Sequence, residues 1–207
     1  MPDRTSTQGI DYVSEPSKVP KNNQMKGWVL EKLFARVLDD LKEKEVNLDY
    51  RWHDASSHSD GGHPDFEVVY GDRKLGFDTK NLRPQSPHDN TGIGYGWVER
   101  NILSKFDESE GERYLVVTFL TFRDEDRNRC VRALERAHIT VLEIGTQVDT
   151  NRVYNDDMRT VYPRLMRLVC EVLGISEWNR YSDFSHFAPA PILAERQSKL
   201  MLGSPIS

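Results

Sequence analysis

The sequence predicts an α/β domain: a mixed central sheet flanked by helices, with a C-terminal helical extension. Three observations carry this. Apolar residues at Leu30, Leu33, Phe34, Val37, Leu38 and Leu41 recur at helical spacing and make one buried stripe. Two runs rich in β-branched and aromatic residues, FEVVY (66–70) and RKLGFDTKN (73–81), are separated only by Gly71 and Asp72, which predicts a hairpin. Beyond residue 95, helical and extended patterns alternate as they do in βαβ units. At 207 residues the chain fits one domain with an appendage. A chain of that size buries a core without needing a disulfide or zinc staple.

Taken in order, residues 1–24 are polar, carry Pro16 and Pro20 and lack periodicity, which predicts a flexible arm. A first helix follows from Met25 to about Lys44, with a lysine-rich last turn that suits the carbonyl end of its dipole. LDYRWHD (48–54) reads as a strand and SSHSDGGHP (56–64) as a loop. After the hairpin, residues 82–94 form a loop with two prolines, and WVERNILSKF (97–106) forms a second helix. YLVVTFLTF (114–122) is almost continuously apolar, as a strand buried on both faces is. DRNRCVRALERA (126–137) is a helix with Val131, Leu134 and Ala137 inside, and ITVLEI (139–144) is a strand. A helix at about 156–174 turns Val161, Leu165, Leu168, Val169 and Val172 inward and ends at Gly174. The core is thus expected over 25–145, with the helix and irregular tail of 146–207 packed on it.

Composition narrows the function. No apolar run approaches the ~20 residues of a membrane span, and the opening residues have no signal-peptide stretch. The two cysteines, Cys130 and Cys170, form no CxxC pair and fall among apolar helix residues, so both are expected in the core. These features predict a cytoplasmic protein that makes no membrane contact. The formal net charge of −5 argues at first against a nucleic-acid partner. The charge is unevenly spread, however. Residues 107–126 hold seven acidic residues and two arginines, whereas 21–44 and 71–105 each hold six basic and four acidic residues. DNA would therefore be approached from one mildly basic face.

The chemistry concentrates in HPDFEVVYGDRKLGFDTKN, residues 63–81. Asp78 and Lys80 are two apart on a strand, so they project from the same face. The hairpin brings Asp65 beside them. Carboxylates at one sheet edge suit a hard cation, and a lysine there can orient water or stabilise a charged transition state. Each residue also has a plain structural role: Asp65 as a turn former, Asp78 and Lys80 as a solvated pair, Glu31 as a first-turn acid matching the helix dipole.

Pro64-Asp65 followed by Asp78-Thr79-Lys80 resembles the PD-(D/E)XK motif of the restriction-endonuclease-like nucleases. Gly27 and Glu31 in KGWVLEKLF resemble the first helix of archaeal Holliday-junction resolvases. The resemblance covers residues 25–145 and matches that family's order of elements. It implies that Asp65, Asp78 and the Thr79 carbonyl ligate Mg²⁺, with Mn²⁺ able to substitute. It also implies that Glu31 completes the metal site and that Lys80 is the catalytic lysine. The implied function is a Mg²⁺-dependent endodeoxyribonuclease, structure-selective or resolvase-type rather than a sequence-specific restriction enzyme, and a homodimer. The alternative is an inactive nuclease-fold protein that binds nucleic acid or a protein partner.

The family places the helix after the lysine near DNA, which makes Arg83, Tyr95, Trp97, Arg100 and Lys105 candidates for phosphate contact or base stacking. Tyr95 and Trp97 can equally anchor that helix. His53, His58 and His63 recur every five residues. Imidazole is a good zinc ligand, so a zinc site, and with it a zinc-dependent hydrolase, is an alternative, but these histidines lack the helical pair and nearby cysteine of familiar zinc sites. They are expected to line the rim of the site, with His63 close to the metal or a phosphate.

Overall fold

The computed structural model describes residues 23–44, 46–53, 62–82, 92–146 and 156–176. Helix α1 (Asn23–Glu43) starts two residues before the expected Met25 and buries the stripe from Leu30 to Leu41. The rest of the expected arm, 1–22, lies outside the described residues. Strands β1 (Leu48–Trp52), β2 (Phe66–Tyr70) and β3 (Arg73–Lys80) form an antiparallel meander. Tyr70 pairs with Arg73, so the loop between β2 and β3 is the two residues Gly71 and Asp72. Gly71 sits at φ +59°, the left-handed backbone that the first position of such a loop requires.

Helix α2 (Tyr95–Asn101) and a 3-10 turn (Leu103–Phe106) occupy the place of the single helix expected over 97–106. The Asp126 carboxylate accepts the Tyr95 N–H at 3.0 Å, and this moves the start forward. The break falls at Ile102, whose φ/ψ of −123°/−63° is not helical. Val98, Ile102 and Phe106 still point inward together and are buried.

Strand β4 (Glu112–Val117) stops well short of the expected residue 122. It ends where its neighbour ends, because Val117 pairs with Lys80, the last residue of β3. The next residue, Thr118, is fully buried and clasps Leu82. Its hydroxyl accepts the Leu82 N–H at 2.7 Å and donates to the Leu82 carbonyl at 2.6 Å. Phe122 has left the sheet and bridges to Ile93.

Helix α3 (Arg127–Arg136) buries Cys130 and Leu134, and Val131, expected inward, is exposed. On so short a helix the inward stripe is one residue wide, and Val131 lies about 100° round from Cys130. Strand β5 (Ile139–Glu143) follows. Helix α4 (Asp156–Leu173) ends in the expected glycine cap: Gly174 is at φ +77° and the Ile175 N–H donates to the Cys170 carbonyl at 2.8 Å.

The sheet order is β1-β2-β3-β4-β5, antiparallel up to β3 and parallel from β3 to β5. Alternation along the strands splits the core in two. Phe66, Val68, Leu75, Phe77, Tyr114 and Val116 pack under α1 and α4. Leu115, Val117 and Ile139 pack on the other face under α2, the 3-10 turn and α3. The fold is therefore the expected α/β layer arrangement: a five-stranded mixed open sheet covered on both faces. Both cysteines are free and buried. Among the described residues no helix is long and apolar enough to cross a membrane.

Candidate active site

Strand register assembles the site. Phe66 pairs with Phe77 as the last pair of the hairpin ladder, and Asp65 and Asp78 are the next residues along each side. Asp78 and Lys80 share a face, and the Lys80 Nζ lies 2.6 Å from Asp78 Oδ2. Their partners on β4 are Leu115 and Val117, which belong to the core under α2 and α3. The pair therefore sits on that side of the sheet, at the C-terminal end of β3. Asp65 is held differently: its Oδ2 accepts the Thr79 N–H at 2.7 Å and the Thr79 hydroxyl at 2.9 Å. Asp78 is completely buried, and Asp65 and Glu31 are nearly so.

Burial pushes the Asp78 carboxyl up to about 8, and the neighbouring charge of Asp65 adds to the rise, while Lys80 and Lys105 oppose it. For Lys80, burial works against the ammonium. The charges of Asp78, Asp65 and Glu31 outweigh that penalty and hold its pKa above the ordinary lysine value. The charges of Asp65 and Lys105 thus act on Asp78, and those of Asp65 and Glu31 on Lys80. Glu31 comes from α1, at the margin of its apolar stripe.

The residues present fit a hard dication by chemistry. All three acidic side chains offer oxygen, and Asp78 Oδ1 is buried without a hydrogen-bond partner. The charge of Asp65 also disfavours ionisation of Asp78, which a bound cation would offset. The three carboxylates are nevertheless more widely spread than a closed ligand set, because Asp65 is pinned to Thr79 and Asp78 to Lys80. Among the described residues the set with three ligand atoms within 4.8 Å of one another is His53, His63 and Glu67.

The DNA-facing candidates are scattered. Arg83 and His58 lie outside the described residues. Arg100 is exposed, and Lys105 is half-buried and feels Asp78. The Arg129 guanidinium lies 3.6 Å from the centre of the Tyr95 ring and covers one of its faces. Trp97 is half-buried against the α2/α3 core, the anchoring role open to it from sequence. His63 faces Glu67 at 3.5 Å and Glu108 at 3.3 Å, surroundings that disfavour a phosphate.

Glu67 and Glu108 do not stand out in the sequence. The signal for Glu67 is its position two residues after Asp65, which puts both on one strand face. Glu108 has no local signal, since it reaches His63 only through the fold. No family model, curated protein or solved structure matches the chain.

Proposed function

We propose that this protein is a Mg²⁺-dependent endodeoxyribonuclease with a restriction-endonuclease-like core, acting on DNA phosphodiester bonds and favouring branched or otherwise structured DNA. The observation that carries this reading is the meeting of Asp65, Asp78 and Lys80 at the hairpin, with Glu31 in electrostatic reach of Lys80. The order of elements, helix, three-strand meander, helix, strand, helix, strand, supports it as well.

Asp65, Asp78, the Thr79 carbonyl and Glu31 would hold the metal. A bound Mg²⁺ acidifies a ligated water and offsets charge growing on the phosphoryl oxygen. Lys80 is kept protonated by three carboxylates, so it acts as a donor and electrostatic stabiliser and not as a general base. Thr79 holds Asp65 through its N–H and its hydroxyl, which fixes the direction of that carboxylate. Arg100 and Lys105, on the helix and turn after β3, supply positive charge for the DNA backbone, and binding weakens steeply with salt. Cutting both strands calls for two such sites, hence a homodimer.

The test is incubation with plasmid and branched DNA in Mg²⁺, Mn²⁺ or EDTA, beside Asp78→Asn and Lys80→Gln. Cleavage in metal alone, reduced roughly a hundredfold or more in both variants, is expected. Wild-type inertness, or equal cleavage by wild type and variants, overturns the reading. Salt-sensitive DNA binding without cleavage would assign the chain to the inactive, binding class. Sedimentation analysis tests the dimer.

A further inference from the structure

The ends of β1 and the start of β2 bring together a second group of ligating atoms. His53 Nε2 lies 3.2 Å from Glu67 Oε2, and His63 Nδ1 lies 3.5 Å from Glu67 Oε1. The two imidazoles are stacked, with centroids 5.1 Å apart and planes 5° from parallel. Both nitrogens are buried, and neither makes a well-formed hydrogen bond. The other ring nitrogen of His63 faces Glu108 Oε2 at 3.3 Å.

We infer that His53 Nε2, His63 Nδ1 and the Glu67 carboxylate bind a zinc-class transition-metal ion, separate from the Mg²⁺ proposed at Asp65 and Asp78. The donor chemistry differs between the two places. Imidazole nitrogen suits zinc and its neighbours, whereas an all-oxygen set suits magnesium. Spacing agrees: ligands of a tetrahedral Zn²⁺ at its usual bond lengths lie roughly 3.3 Å apart. Each imidazole nitrogen lies near that distance from one oxygen of the carboxylate, His53 Nε2 at 3.2 Å from Oε2 and His63 Nδ1 at 3.5 Å from Oε1. Glu108 supplies the outer carboxylate that metal-bound histidines commonly face, fixing which ring nitrogen is free to ligate.

Glu108 is itself held in place, because its N–H donates to the Gly62 carbonyl at 3.2 Å and its side chain packs over Gly62. Two histidines and one carboxylate leave a fourth position for water. The ion would also brace Asp65. His63 and Glu67 flank Asp65 by two residues on either side, and the His53 N–H donates to the Asp65 carbonyl at 2.8 Å.

The experiment is a zinc titration of the full-length protein against a chromophoric chelator, with millimolar Mg²⁺ present, followed by the absorption spectrum of the Co²⁺ form. One tightly held Zn²⁺ per chain and a tetrahedral Co²⁺ spectrum with nitrogen ligation are expected. His63→Ala and Glu67→Gln should each weaken zinc about a hundredfold or more, and Glu108→Gln roughly tenfold. His63 and Glu67 are partly exposed, so these variants should fold, and a thermal melt without metal checks that they do. Asp78→Asn should retain zinc, which separates this site from the proposed nuclease centre. Absence of stoichiometric binding, or affinity unchanged in both His63→Ala and Glu67→Gln, overturns the inference.

Discussion

Asp65 and Asp78 follow directly on the last pair of the β2–β3 ladder, Phe66 with Phe77, and each carboxylate is held by a different partner. Asp65 takes the N–H and hydroxyl of Thr79, and Asp78 takes the ammonium of Lys80 at 2.6 Å. The two acids are thus pre-positioned. A single lysine serves a buried carboxylate that has a second carboxylate beside it, and the Asp78 carboxyl rises to about 8 as a result of burial and of that neighbour.

That imbalance makes Lys80 a stability residue. Lys80→Met leaves Asp78 buried without its counter-ion and should destabilise the metal-free protein by about 3 kcal/mol. Adding Asp78→Asn should recover more than half of the loss. Urea denaturation of the two single variants and the double variant in EDTA measures the coupling. Additive effects would mean that the ion pair carries no coupling energy.

Thr79→Val keeps the shape of the side chain and the N–H bond to Asp65 but removes the hydroxyl donor. The expected cost is about 1 kcal/mol of stability. If the nuclease reading holds, cleavage should fall roughly tenfold, as for the loss of an outer-shell contact. Paired denaturation and cleavage assays check it. Unchanged cleavage would show that the Thr79 hydroxyl does not position Asp65.

Away from the site, Arg73 donates twice to Glu112, at 2.6 and 2.8 Å, and the Tyr114 hydroxyl donates to the same carboxylate. Hydrogen bonds from Arg73 and Tyr114 hold the Glu112 carboxyl down at about 2. A depressed carboxyl stabilises the fold above its unfolded value near 4.5 and loses that contribution as pH falls toward 2. Both partners are more than a third exposed, so solvent screening limits the gain to about 1 kcal/mol or less. Glu112→Gln should therefore lower stability at pH 6 and converge on wild type as pH falls below 4.5, read by denaturation at stepped pH.

Tyr162 on α4 donates its hydroxyl to the buried Asp40 on α1, which also pairs with Arg36. Tyr162→Phe leaves one oxygen of Asp40 without that donor and should cost about 2 kcal/mol. The midpoint of urea unfolding should move while its slope stays constant. A change in slope would indicate that α4 docking itself is lost.

Much of this fold is legible in the sequence. The stripe from Leu30 to Leu41, the Gly71-Asp72 loop and the Gly174 cap are local patterns, and each element appears where its pattern lies. The shared face of Asp78 and Lys80 is local too, since strand alternation sets it. The misplacements mark where distant contacts override a pattern. Segment 118–122 is apolar enough for a strand, yet β3 offers no partner beyond Lys80 and Thr118 turns to clasp Leu82. Val131 fits an apolar stripe, yet the sheet accepts only Cys130 and Leu134 from α3.

By itself, then, the sequence determined the order of elements and the pairing of Asp78 with Lys80. Hydrophobic period and turn chemistry are written in residues a few positions apart. Only the tertiary structure decided that Glu31 reaches the field of Lys80 and that His53, His63 and Glu67 converge. Those relationships join segments far apart along the chain. They are set by which faces of the sheet the helices cover, a choice made by the packing of the two cores as a whole.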